Sequence, residues 1–195
     1  QAQNKKYNRH AEFANLAAEW GGVMNSALLN GAYPQKELTD CWRTTMLNQF
    51  HDIIPGSSIK EVYEDSEKQY LEMRAVTDRI NGEQFSALAG ALKLDETSVV
   101  VFNQLSFARS DVVSFRLPDG WQNARVFDGQ KELNSQPVGN GELLFFAEDV
   151  PAKGYKAFTI RQSSEGCAAC GMTVSTDAME NESFRLTFDN EGCIT

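Results

Sequence analysis

The sequence predicts an α+β protein of two parts: an antiparallel three-helix bundle over residues 1–94, then an antiparallel β-sandwich-type domain over residues 95–195. Two observations predict it. Apolar residues recur at three- and four-residue steps through the first part and at two-residue steps after Asp95. The interruptions also differ: Asn30-Gly31, Pro34 and Pro55-Gly56 divide the first part into long segments, whereas turns such as Asp128-Gly129 and Asn140-Gly141 cut the second into short ones.

The first helix carries Phe13, Leu16, Ala17, Trp20, Met24 and Leu28 on one face, an apolar stripe expected to be its buried side, and Asn30-Gly31 supplies a stop that tolerates positive φ. Pro34 opens the second, with Leu38, Trp42, Met46, Leu47 and Phe50 on one face, and Pro55-Gly56 closes it. Ser58-Ile59-Lys60-Glu61 fits a capping box for the third, in which Ser58 caps and Glu61 reaches back. Ile59, Val62, Tyr63, Tyr70, Met73, Val76 and Ile80 continue the pattern, and Asn81-Gly82 is expected to kink or interrupt it before Phe85, Leu88 and Leu92. The helices should span roughly 3–30, 35–51 and 58–93, joined up-down-up by short connections. Strands are expected at Ser98 to Phe102, Asp111 to Leu117, Asn123 to Phe127, Glu142 to Ala147 and Tyr155 to Arg161. Glu182 to Thr195 reads as strand, turn and the opening of another strand; an apolar edge abandoned there leads us to expect an internal piece of a larger protein, with the β region incomplete at the C-terminus.

Composition narrows the function classes. A hydrophobic fraction of 42% and a charged fraction of 23% are those of a globular protein. The net charge of −9 argues against nucleic acid or an anionic membrane as partner. No apolar run reaches the ~20 residues of a membrane span. The opening Gln-Ala-Gln carries no methionine and is expected not to be the native start, so it gives no compartment.

Chemistry concentrates at His51-Asp52, an imidazole and a carboxylate side by side where the second helix stops. Such a pair commonly does nothing more than cap a helix or satisfy a local hydrogen bond. The other histidine, His10, falls on the polar side of the first helix and is expected in solvent. Cys41 reads as a small buried apolar residue. Cys167-Ala168-Ala169-Cys170 has zinc-knuckle spacing, but no second pair follows and Cys193 alone could join it, so no metal site is expected there.

The string Trp42-Arg43-Thr44-Thr45-Met46-Leu47-Asn48-Gln49-Phe50-His51-Asp52-Ile53-Ile54-Pro55-Gly56-Ser57-Ser58-Ile59, followed by Val62-Tyr63 and Asp65, closely resembles the middle-domain signature of the α-mannosidases of glycoside hydrolase family 38. Asn-Gln-Phe-His-Asp is similar to the bacterial and cytosolic branch, which favours the cytoplasm; Golgi and lysosomal members tend to carry a second histidine where Phe50 stands. Arg9 to Glu19, Val101 to Val113, Val150 to Tyr155 and Met179 to Leu186 resemble the family in the same order, although Gln104 stands where proline is commoner. The resemblance covers essentially the whole chain. It implies a metal-dependent retaining exo-α-mannosidase that removes terminal α-linked mannose. It also implies that His51 is one of four ligands to a zinc-type cation and that Asp52 contacts a sugar hydroxyl. In the family the other three ligands, the nucleophile among them, come from an N-terminal α/β barrel; the chain has no His-x-Asp motif, because His10 is followed by Ala11-Glu12. The catalytic nucleophile and acid/base are therefore expected outside this chain, as are the barrel and a further C-terminal β region, and the chain alone should be inactive and hold no zinc. The physical logic agrees: a retaining glycosidase needs two carboxyls ~5–5.5 Å apart, and a divalent cation can bind vicinal sugar hydroxyls.

Two other readings compete. A His-Asp metal phosphohydrolase would need more histidines than His10 to complete its site. A non-catalytic carbohydrate-binding or interaction module needs no chemistry at all.

Overall fold

The computed structural model describes residues 2–164 and 171–195. Cys167 and Cys170 lie outside the described residues. The chain divides into two compact units, Gln1–Lys93 and Leu94–Thr195.

The helical unit contains α1 (Ala2–Leu29), α2 (Gln35–Asn48) and α3 (Lys60–Gly90). Its side-chain bonds give the up-down-up order directly. Glu19, Asn15 and Glu12 of α1 meet Trp42, Thr45 and Gln49 in turn, so α1 and α2 run antiparallel. Asn48 meets Gln69 while Glu37 meets Arg79, so α2 and α3 also run antiparallel. Asn30, at φ 56°, stops α1 as expected. Gly22 lets α1 approach the α1–α2 connection, where a Cβ would stand 3.0 Å from the Tyr33 ring.

Which face turns inward differs from the sequence expectation. Buried α1 residues are Asn4, Ala11, Asn15, Ala18, Gly21, Gly22 and Asn25, and buried α2 residues are Leu38, Cys41, Thr45 and Asn48. Phe13, Leu16, Leu28, Met46, Leu47 and Phe50, read from periodicity as core, are exposed. The interior is instead a seam of small and polar side chains. Asn15 Nδ2 donates to Thr45 Oγ1 at 3.0 Å, and that hydroxyl gives its proton to the Cys41 carbonyl at 2.9 Å. Ser66 Oγ donates to Asn4 Oδ1 at 2.9 Å, and Asn25 Nδ2 to the Gln84 carbonyl at 3.4 Å. Apolar material is interleaved, with Leu38, Tyr70, Met73 and Ile80 nearly inaccessible. Burial, with the Glu12 charge adding to it, pushes the Tyr70 phenol up to about 12. Cys41 is buried as expected, which raises its thiol.

Two further expectations fail. Ser58 does not cap α3: Ile59 is the N-cap residue, without a side-chain cap bond, because the Ser58 hydroxyl is committed to the Asp52 carbonyl. Asn81-Gly82 does not interrupt α3, which runs unbroken to Gly90; Asn81 Nδ2 reaches across to the Ala14 carbonyl at 3.2 Å and is used as a tie between helices.

The second unit packs a four-stranded sheet, β1 (Ser98–Asn103), β7 (Gly154–Gln162), β3 (Ala124–Asp128) and β4 (Lys131–Leu133), against a three-stranded one, β2 (Arg109–Arg116), β6 (Glu142–Val150) and β5 (Ser135–Gly139). The expected strands are present, and β4 and β5 are additions. Pairing within each sheet is antiparallel. Asn140-Gly141, both at positive φ, close the β5–β6 hairpin, and Pro137 is tolerated because β5 is an edge strand. Between the sheets Phe145 meets Phe158 edge-on at 5.0 Å and Phe115 at 5.9 Å, around Val126, Leu143 and Ile160. Buried Asn103 donates to the carbonyls of Phe107, Val150 and Pro151, tying two loops at one end of the sandwich. A separate meander, β8 (Thr173–Val174), β9 (Ala178–Glu180) and β10 (Arg185–Thr187), ends in a turn at Asp189 to Gly192 and a Phe188–Ile194 bridge, close to the expected strand-turn-strand.

Phe145→Ala should destabilise the sandwich by about 3–5 kcal/mol, since a cavity replaces an interlocked aromatic. Val112→Ala, on the outward side of the same sheet, should stay within about 0.5 kcal/mol. Hydrogen exchange at the β6 and β7 amides reads both.

Candidate functional site

Residues 49–58 form the turn between α2 and α3, and His51 and Asp52 project from it. Their side chains are 76% and 60% exposed, with His51 Nε2 3.5 Å from Asp52 Oδ2. The Phe50 ring lies against the imidazole, centroids 4.2 Å apart. Neither side chain caps the helix: α2 ends at Gln49, whose amide N–H meets the carbonyls of Thr45, Met46 and Leu47. The helix-capping explanation of the pair is thus removed.

The backbone beneath the pair is heavily tied. Asn48 Nδ2 donates to Gln69 Oε1 of α3 at 2.8 Å and to the Thr44 carbonyl at 3.0 Å. Gln49 Nε2 turns the other way, to Asn8 Oδ1 at 3.0 Å and Glu12 Oε1 at 2.9 Å on α1. Beyond the pair, the Ile53 and Ile54 amides close back on the Phe50 carbonyl at 2.8 and 3.1 Å. Gly56 takes φ 95°, a conformation that favours glycine, and donates to the Ile53 carbonyl at 3.2 Å. The result is an anchored main chain with a free imidazole and carboxylate. Asn48 and Gln49 were not singled out by sequence reasoning; the available signal was two amide side chains in succession at a helix end, one for each neighbouring helix.

His10 is exposed as expected and lines a groove with Tyr70, Arg74 and Asp78 of α3. Asn8 and Glu12, on the α2 side of α1, turn a different face, so His10 and His51 are not brought together. Among the described residues no three His, Cys, Asp or Glu side chains form a group able to hold a metal ion. At this turn the described residues therefore offer one imidazole donor with a carboxylate beside it, short of the four ligands of a closed zinc site.

Comparison with known proteins settles the kinship. The α-mannosidase middle-domain family matches residues 1–88. Mouse alpha-mannosidase 2C1 is 33% identical over 100% of the chain, which spans 17% of that protein. The chain belongs to the α-mannosidase family. Dictyostelium discoideum alpha-mannosidase G, another member, is 31% identical over 85% of the chain and again only 17% of its own length is spanned. A solved glycosyl hydrolase family 38 protein from Enterococcus faecalis shares the fold, with a TM-score of 0.72 at 18% identity, covering 100% of this chain and 29% of that one. Three helices followed by antiparallel sheets, as in this chain, are the architecture expected from the sequence. Among the described residues no helix is long and apolar enough to cross a membrane.

In the isolated chain, His51→Ala and Asp52→Asn should shift stability by no more than about 0.5 kcal/mol, as solvent-facing side chains do. Asn48→Ala should cost about 1–3 kcal/mol, because it removes a buried amide and both of its bonds to part-buried partners on α2 and α3. Thermal melts compare them; equal losses at His51 and Asn48 would return the pair to a structural role.

Proposed function

We propose that this chain is the middle portion of a metal-dependent, retaining exo-α-mannosidase, to whose active site it contributes His51 as one metal ligand and Asp52 as a sugar-binding carboxylate. The observation that carries the reading is the contrast at the turn: the main chain is fixed from both neighbouring helices, while the His51 and Asp52 side chains face solvent and, among the described residues, have only each other as polar partner. A surface pair kept for stability would have its side chains tied down. Family membership supports a mannoside substrate, which we read as terminal α-linked mannose, and the chain spans only 17% of its mouse relative, consistent with remaining site residues elsewhere in the protein.

The donors present fit one corner of a metal site and not a whole one, so the other ligands, the nucleophile and the acid/base belong to parts of the protein outside these residues. A bound divalent cation, zinc for preference, would supply a positive charge for sugar hydroxyl oxygens. His51 must present a neutral ring nitrogen to serve it, and the fixed turn limits the directions that nitrogen can take. The exposed Asp52 carboxylate accepts a hydrogen bond from a sugar hydroxyl, a charge-assisted contact stronger than a neutral one.

In the whole enzyme His51→Ala should lower metal occupancy and reduce kcat/KM on an aryl α-mannoside by orders of magnitude. Asp52→Asn should keep the metal and lose roughly one to two decades in kcat/KM, equivalent to ~1–3 kcal/mol for one charged hydrogen bond. Normal kinetics in both variants would refute the assignment. The 195-residue chain by itself should hydrolyse no aryl α-mannoside and retain no stoichiometric zinc; turnover by the purified chain would overturn this.

A further inference from the structure

One hydroxyl joins the middle of the turn that carries His51 and Asp52 to its C-terminal end. Tyr63, in the first turn of α3, donates its phenolic proton to the Ile53 carbonyl at 3.2 Å and accepts the Ser58 amide N–H at 3.1 Å. Asn4 Nδ2, from the start of α1, reaches the same Ile53 carbonyl at 3.4 Å. Ser58 Oγ donates to the Asp52 carbonyl. The carbonyls of Asp52 and Ile53, which follow His51 directly, are therefore both held by side chains, the first by Ser58 within the turn and the second by Tyr63 and Asn4 from outside it. His51 and Asp52 themselves lack such support: their polar contact is with each other, at 3.5 Å, and both stand in solvent. The direction of an unsupported side chain is set by the backbone that carries it.

We propose that Tyr63 is a positioning residue for the His51–Asp52 pair, its hydroxyl fixing the backbone at Ile53 and Ser58 and so the direction in which imidazole and carboxylate leave the turn. This rests on the assignment of that pair given above. The hydroxyl is the part of Tyr63 that matters, since it spans from Ile53 to Ser58, whereas a phenylalanine ring would fill the same half-buried space. It acts before α3 begins, on a residue ahead of the Ile59 cap, so its bonds order the turn and add nothing to the helix's own ladder. The effect is preorganisation: a ligand or hydroxyl-binding group displaced by an ångström at the site can cost about a hundredfold in rate.

Tyr63→Phe is the test, made in this chain and in the whole enzyme, beside Ser58→Ala and His51→Ala. In the chain the variant should melt within about 2 °C of the parent, exchange its Ser58 amide faster, and lose the nuclear Overhauser contacts between the Phe50 ring and the His51 imidazole. In the enzyme kcat/KM on an aryl α-mannoside should fall about ten- to hundredfold, mostly in kcat. Ser58→Ala, which frees the Asp52 carbonyl, should act in the same direction by less, and carries the same test should Tyr63→Phe melt lower. Retention of the Phe50–His51 contacts in both variants overturns the proposal. So does kcat/KM within about twofold of the parent in both while His51→Ala is inactive, an outcome that leaves the site assignment standing. Full activity of His51→Ala removes the site assignment and this inference with it.

Discussion

Asn15 and Thr45 lie at the centre of the helical unit with their side chains bonded at 3.0 Å, and neither has measurable exposure to solvent. A buried amide or hydroxyl left without its partner costs ~1–3 kcal/mol, so sliding α1 by a turn against α2 would be resisted at this pair. It would be resisted again at Glu19 with Trp42 and at Glu12 with Gln49. An all-apolar seam would tolerate several registers, because dispersion is not directional; a hydrogen-bonded one does not. The register in turn decides where α2 stops, which amides meet which neighbours at Asn48 and Gln49, and where the turn bearing His51 begins.

This seam explains what sequence reading could and could not see. The three helices, their order and the change to strands after Leu94 follow from apolar period and turn chemistry, which are local properties. Periodicity reports which residues share a face and leaves open which face turns inward. On α1 the apolar stripe of Phe13, Leu16 and Leu28 faces outward, and the opposite line of alanine, glycine and asparagine allows the helices to approach. One position on from Asn15 and Thr45, Leu16 and Met46 are rotated about 100° out of the seam. Ser58 and Asn81 were misread for a related reason. Each has the right residue type for a cap or a break, but another bond, back across the turn to Asp52 for Ser58 and across to α1 at Ala14 for Asn81, claims its side chain first. In the sandwich the alternation of β6 places Leu143, Phe145 and Ala147 inside, as its pattern suggests. Short β4 and β5 carry too little apolar signal to be read alone.

The same distinction separates the parts of the His51 string. His51 and Asp52 stood out as candidates because imidazole and carboxylate chemistry is written in residue type, and the roles proposed for them come from the family resemblance. Asn48, Gln49, Ser58 and Tyr63 did not stand out, because their role is visible only when the partners Gln69, Glu12, Asp52 and Ile53 are in place. A site whose reactive groups are free and whose backbone is crowded with bonds is suited to meeting groups from elsewhere in a longer protein. The chain spans 17% of the length of its mouse relative, so such groups have ample sequence from which to come.

The most direct measurement is the zinc K-edge X-ray absorption spectrum of the metal-loaded whole enzyme, recorded for the parent and for His51→Ala under identical loading. Imidazole carbons beyond the first coordination shell give a distinct scattering signature. Loss of one imidazole from the zinc environment in the variant is the result expected if His51 is a ligand. An unchanged imidazole count, at equal occupancy, would contradict the placement of His51 at the metal and with it the functional reading of the turn.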